Sequence, residues 1–304
     1  LDQMGWIEES GADYVKRAAE RYVECAVTKR DTILVAPTWE EIHRLTDAVR
    51  AGLKNRGLLG EGHPVTVAEP LAWTKAQAET VANYRPGFLL TLHQPLRDAG
   101  VAAGTTVEVV GVARSHVRVR DPQGREVDVA PRRESAAWTT AAPRTIELAA
   151  GDRILIRQNH RTAGLINGEV LTLTARDASS GAWQALDGAG RPKAIPADFR
   201  ALAHGYAVTS HKAQGRTCDE VIVCAARLDA KATYVAFSRA RERATGYTPD
   251  KAALFDALPA ANRPRLTAVD LWTPARTRRL RWVRSVVERV RDLLTPLVPL
   301  VPAT

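Results

Sequence analysis

The chain has 304 residues, 45% of them hydrophobic and 25% charged, which excludes a disordered or collagen-like polymer and leaves room for two domains. No stretch approaches the roughly 18 apolar residues of a spanning helix, no N-terminal signal pattern is present, and Cys25, Cys218 and Cys224 form no C-x-x-C that would suggest zinc or a disulfide framework. The formal net charge of +9 favours a polyanionic partner, although seven arginines between Arg276 and Arg291 carry most of it and the body is nearly balanced.

Asp31 to Val35 reads as a buried strand that ends at the Pro37 turn, and Thr38 caps a helix from Trp39 to Lys54 with Glu41 as the capping-box acid. Gly57 and Gly60 end that helix, Pro64 to Val67 is a short strand, and Thr74 caps a second helix from Lys75 to Asn83. Tyr84 to Gly87 breaks the pattern. From there to about Arg200 the hydrophobic period is two: Thr106 to Val110, Val117 to Arg120 and Glu126 to Val129 alternate, with a turn at Asp121 to Gly124. A second set follows in Asp152 to Ile156 and Glu169 to Thr174, joined through Asn167-Gly168, a pair suited to the positive φ angles of a tight hairpin.

βα character returns at Gly205 to Thr209. The polar segment Thr209 to Thr217 has a hydroxyl at the strand end and exposed His211 and Lys212 after it, groups able to donate hydrogen bonds to successive phosphates. Glu220 to Cys224 is strand-like, and Thr233 to Arg243 has helical spacing with Arg239 projecting. The order of these elements, with Tyr234-Val235-Ala236-Phe237-Ser238-Arg239-Ala240-Arg241 as the second, resembles motifs V and VI of superfamily-one helicases, above all the RecD-like branch of MobF-type conjugative relaxase-helicases. Gly151-Asp152-Arg153 with Asn159 and Asn167-Gly168-Glu169 is similar to a family element, and Leu34 to Thr38 with Arg50 is similar to motif IV and its helix.

The resemblance implies an α/β fold, a RecA-like (P-loop NTPase-type) second motor domain with an inserted SH3-like β-barrel and a C-terminal basic helix. The expected boundaries are 1–84 and 201–262 for the two parts of the motor domain, 85–200 for the insertion and 263–304 for the tail. It also implies that Thr38, Arg50, Asn159, Thr209, His211 and Lys212 contact DNA, and that Gln214, Gly215, Thr217 and Arg239 face the nucleotide, Arg239 as the arginine finger. Arg241 and Arg243 are expected to be solvated or paired with Glu242 or Glu220. Two readings stay open for the loop of Arg157, Asn159, His160 and Arg161, a single-strand channel or a solvated turn, and for Trp73, Trp138 and Trp183, base stacking or core packing.

An ATP-driven motor needs a phosphate loop G-x-x-x-x-G-K-[ST], and no lysine here has that context. Asp219-Glu220 precedes its apolar run, the wrong end of a strand for a magnesium carboxylate. ATP and Mg2+ are therefore expected only together with an N-terminal half, and this chain alone should not hydrolyse ATP. The start at Leu1 suggests a cut fragment, a frameshifted gene or an unusual start codon. Expected partners are single-stranded DNA and the N-terminal helicase or relaxase half in a cytoplasmic setting, with the arginine-rich tail helix lying on a membrane surface, DNA or a partner. The alternative is a non-enzymatic single-strand-binding or adaptor module derived from a truncated helicase.

Overall fold

The computed structural model describes residues 5–96, 98–209, 217–226, 228 and 230–260. In chain order the elements begin β1 (Ile7–Glu9), α1 (Tyr14–Val27), β2 (Thr32–Val35), α2 (Trp39–Asn55), β3 (His63–Pro70), α3 (Lys75–Glu79) and β4 (Leu89–Leu92). They continue through β5 (Thr106–Val112), β6 (Val117–Arg120), β7 (Glu126–Val129), α4 (Pro131–Glu134), β8 (Trp138–Leu148), β9 (Arg153–Ile156), β10 (Val170–Arg176), β11 (Trp183–Leu186) and β12 (Pro192–Ile195). The chain closes with β13 (Leu202–His204), β14 (Ala207–Val208), β15 (Cys218–Cys224), α5 (Ala230–Phe237), β16 (Ala240–Thr248) and α6 (Lys251–Ala260).

Five strands form a parallel sheet in the order β1-β16-β15-β2-β14. Both faces are covered, so residues 33–35 of β2 and 221–224 of β15 are continuous apolar runs rather than alternating ones. Leu34, Ile222 and Cys224 face α1 and α2, while Ile33, Val35, Val221 and Val223 pack with Phe237 and Leu254 of α5 and α6. The α/β class agrees with expectation, and α2 starts where expected, with Thr38 Oγ1 accepting from the Glu41 amide at 3.2 Å. The tail from 261 onward, with its expected helix, lies outside the described residues. Among the described residues no helix is long and apolar enough to cross a membrane.

The β-rich insertion starts earlier than the expected residue 85. β3 pairs along its whole length with β8, His63 opposite Leu148 and Pro70 opposite Ala141, and so belongs to the insertion's sheet and not to the motor sheet. The insertion consists of two antiparallel sheets, β3-β8-β4-β5-β6-β7 and β12-β11-β10-β9-β13.

Apart from β3, these two sheets are copies of one module. Leu90 opposes Val107 in the first as Ile154 opposes Leu171 in the second, and Leu92 opposes Trp138 as Ile156 opposes Leu202. The register shift between Val109 and Gly111 recurs between Leu173 and Ala175. The turns match in chemistry as well: Asp121 accepts from the Arg125 amide at 2.8 Å and from Arg125 Nε at 3.0 Å, and Asp187 accepts from the Arg191 amide at 2.9 Å and from Arg191 Nε at 2.7 Å. Gly124 and Gly190 hold φ of +84° and +78° in those turns, where a side chain would be strained.

Candidate functional site

The expected site residues that the structure describes on the parallel sheet fall at its two edges. At its C-terminal edge β2 and β14 end side by side, Val35 opposite Val208 with the Ala36 amide on the Val208 carbonyl at 3.1 Å, so Thr38 and Thr209 follow adjacent strand ends. Thr38 is exposed and Thr209 half-buried. At the N-terminal edge the Cys218 amide donates to the Arg239 carbonyl at 3.0 Å, which sets Thr217 beside Arg239. β15 has seven residues between the two edges, a span of about 20 Å at ~3.3 Å per residue. His211, Lys212, Gln214 and Gly215 lie outside the described residues.

Arg239 occupies the turn between α5 and β16. Its Nε donates to the Val235 carbonyl at 3.0 Å and its Nη2 to Ser238 Oγ at 2.9 Å, which fixes the side chain on the last turn of α5. Among the described residues no carboxylate pairs with it, whereas neighbouring cations are taken: Arg241 pairs with Asp219 at 2.7 Å and Arg30 with Glu242. Glu220 is fully buried beneath this edge and receives Arg21 through two hydrogen bonds of 2.7 Å, with Arg243 Nε at 4.0 Å. Burial works to raise the Glu220 carboxyl, but the Arg21 hydrogen bonds and charge outweigh it and hold the group below the ordinary glutamate value. Arg239 thus stands as an uncompensated guanidinium on a rigid turn, and planar donors of this kind suit phosphoryl oxygens.

Arg50, expected among the DNA contacts, is engaged in an ion-pair network. Its Nε and Nη2 donate to Asp152 at 2.9 and 3.0 Å and Nη2 also reaches Glu147 at 3.1 Å, with only 11% of the side chain exposed. Asp152 is fully buried and also accepts from Tyr206 Oη at 2.6 Å and the Ala149 amide at 2.7 Å. Burial, then the Asp152 charge, drives the Tyr206 phenol far above its ordinary value, so it stays a donor. This network ties α2 to the start of β9 and explains the Gly-Asp-Arg phrase: Gly151 sits at φ +92° against the Leu58 carbonyl, Asp152 anchors, and Arg153 Nη1 donates to Tyr22 Oη at 3.0 Å.

Asn159 lies exposed in the loop between β9 and β10, where its Oδ1 accepts from the Asn167 amide at 2.8 Å. The loop lines a groove of about 870 Å³ between the two β modules, with Arg157 and Arg161 on the same wall. Of the tryptophans with two open readings, Trp138 and Trp183 are buried, Trp138 donating to Tyr84 Oη at 3.2 Å, and Trp73 packs edge-on against Tyr84 and Phe88. Trp138 and Trp183 are core residues, and Trp73 is half-buried against the edge of the first module's core.

Trp39, which the sequence reading passed over as the first residue of α2, is half-exposed next to Thr38, with the Arg157 guanidinium 5.0 Å from its ring centroid. Trp39, His43, Glu69, Arg144 and Arg157 line a second cleft of about 280 Å³ that shares Arg157 with the groove. Arg157 is half-buried and makes no hydrogen bond or ion pair to a described side chain; burial, acting against Glu69, lowers its pKa. His43 is held below its ordinary value by burial and by Arg144, whose Nη1 donates to His43 Nε2 at 2.9 Å. No local sequence pattern marks this pair, because Trp39 and Arg157 are far apart in the chain and meet only in the fold. Among the described residues no group of three or more His, Cys, Asp or Glu is placed to hold a metal ion.

Residues 204–245 match the family model of the UvrD-like helicase C-terminal domain. The conjugal transfer protein TraA of Rhizobium radiobacter is 38% identical over 96 residues, which is 31% of this chain and 9% of that protein. Among solved structures, Pif1 helicase from Bacteroides in complex with ADP-AlF3 and ssDNA aligns with 81% of this chain and 51% of its own at 13% identity and a TM-score of 0.25. Pif1 helicase from Candida albicans aligns with 73% of this chain and 46% of its own at 16% identity and a TM-score of 0.22. The chain thus spans about half the length of those structures and a small part of the curated relative. The matched residues run from the end of β13 through β14, β15 and α5 into β16, so this part of the chain is similar to a UvrD-like helicase C-terminal domain.

Proposed function

We propose that this chain is the second motor domain of an ATP-dependent DNA helicase of the RecD-like, MobF relaxase-helicase type, and that it grips single-stranded DNA at one sheet edge and serves ATP hydrolysis at the other. The observation that carries this reading is the separation of the two residue sets: Thr38 and Thr209 follow the C-terminal strand ends, Thr217 and Arg239 precede the N-terminal ones. A segment running from Thr209 to Thr217 connects the two edges, so a movement at the nucleotide is felt at the DNA through one short stretch of chain.

On this reading single-stranded DNA passes the hydroxyls of Thr38 and Thr209, with His211 and Lys212, then Trp39 and Arg157, and enters the groove at Asn159. The two β modules take the place of the SH3-like insertion. ATP and Mg2+ belong to a phosphate loop in a complementary N-terminal half; bound there, they supply the phosphoryl-transfer chemistry. This chain's own residues do the rest: Thr217 with Gln214 and Gly215 faces the nucleotide, and Arg239 places positive charge where it develops on the transferred group. The uncommitted guanidinium on a fixed turn fits that role. The chain by itself is then a DNA-gripping, ATP-incompetent half.

The test is Arg239→Ala in a complete chain that includes a phosphate-loop domain. DNA-stimulated ATP turnover should fall by about 10³ or more with single-strand affinity unchanged. Unchanged turnover sinks the finger assignment. The adaptor reading gains if the chain binds single strands yet confers no turnover on a supplied N-terminal half.

A further inference from the structure

The groove between the β modules is built from one loop used twice. In the first copy the Gly104 amide donates to the Leu92 carbonyl at 2.8 Å and Leu96 bridges Val101; in the second the Gly168 amide donates to the Ile156 carbonyl at 2.8 Å and His160 bridges Leu165. Gly104 and Gly168 share φ +91°. The two loops face each other: Gln158 Nε2 donates to the Leu92 carbonyl, and a side chain at Gly104 would stand 3.5 Å from the Asn159 carbonyl.

Equivalent positions on the two walls differ in chemistry. Where the second copy has Arg157, Asn159 and Asn167, the first has His93, Pro95 and Ala103. Arg161 has Arg97 as its counterpart in sequence, which lies outside the described residues. Arg157 and Arg161 have no carboxylate partner among the described residues, and the facing residues Pro95, Ala102 and Ala103 are exposed and apolar or small. Thr91 and Gln158 also line the groove, and Thr91 Oγ1 and Gln158 Oε1 are buried without a hydrogen-bond partner.

We propose that the duplicated loops form a single cradle for single-stranded DNA in which the second copy holds the sugar-phosphate backbone and the first copy faces the bases. This rests on the reading of the chain as a DNA-gripping motor half and adds the orientation of the strand within it. Unpaired guanidinium groups and amides recruit phosphates, whereas the Pro95, Ala102 and Ala103 surface offers no charged side chain to hold them and is left to pack against the bases. A groove of about 870 Å³ accommodates a few nucleotides of one strand.

The experiment measures binding of the full chain to a fluorescent oligo-dT and to the same oligomer with abasic positions, across a salt series. Arg161→Gln and Arg157→Gln should each reduce the slope of log affinity against log salt by about 0.7, the value for one phosphate contact on a single strand, and weaken both oligomers alike. His93→Ala with Pro95→Gly, which adds no charge, should leave the slope unchanged and remove the preference for the base-bearing oligomer. Circular dichroism on each variant checks folding, and the exposed Arg161 carries the backbone test should Arg157→Gln unfold. The proposal is overturned if the slope follows the first copy, if neither wall matters, or if duplex binds as well as single strand. A chain that binds no oligonucleotide even at low salt overturns the motor reading too, whereas binding indifferent to both walls removes only the cradle.

Discussion

Removing the Arg50 side chain tests whether this arginine joins two structural units or touches DNA. Arg50→Ala deletes two charge-assisted hydrogen bonds to Asp152, each worth about 1.5–3 kcal/mol, and leaves a fully buried carboxylate with only Tyr206 Oη and the Ala149 amide. Breaking one side of a buried ion pair costs about 3–5 kcal/mol, and the two figures agree. Urea unfolding of the whole chain should show that loss, and Arg50→Ala/Asp152→Ala should lose less than the sum of the singles because the surviving charge is gone. Single-strand affinity of the folded fraction should not change, nor its salt slope. A stability loss under about 1 kcal/mol with a reduced salt slope would refute the lock and restore Arg50 to the DNA surface.

Other expectations follow from particular contacts. Gly151→Ala should destabilise by at least about 2 kcal/mol, since it combines positive φ with a Cβ placed 2.3 Å from the Leu58 carbonyl oxygen, and thermal melting reads it directly. Arg239→Ala should change the urea midpoint by less than about 1 kcal/mol equivalent, because its side chain bonds only its own turn; a larger loss would mark the arginine as structural. Glu220, whose folded pKa is depressed, contributes stability that is present above its unfolded pKa and lost as pH falls through the folded value, so Glu220→Gln should flatten the acid limb of a stability-versus-pH curve and leave its neutral plateau lower. His43 is depressed in the folded state, so it contributes stability that is complete above pH ~6.5 and declines below; His43→Gln should remove that part of the slope near pH 6.

The elements most legible in the sequence are those fixed by neighbours in the chain. Thr38 caps α2 because Glu41 is three residues away, and the motif order around β15 survives because each segment carries its own pattern. Arg50 escaped because the partner that claims it, Asp152, is distant in sequence and no local rule pairs them. β3 was assigned to the wrong sheet for the same reason: a short apolar run does not say which strand it will join. The duplication was present in the letters, as Gln94, Gly100 and Gly104 against Gln158, Gly164 and Gly168 and as Asp121 with Arg125 against Asp187 with Arg191, but it resides in turn residues while the strands have diverged. Trp39 went unnoticed because exposure, not identity, is what makes it unusual.

Two tandem modules with the same pairing scheme give a newly synthesised chain a choice of partners. β9 presents to β8 nearly the same edge that β4 does, so a strand traded between copies would keep most registers and lose few bonds. The added ladder between β3 and β8 marks the first copy as the only one with a sixth strand, and Trp138 and Leu202, at equivalent positions, differ too much in volume to be exchanged without a void or a clash. Divergence of these interiors therefore protects the chain from entangling with itself during folding, and making the second copy's core more like the first should raise the yield of aggregated material.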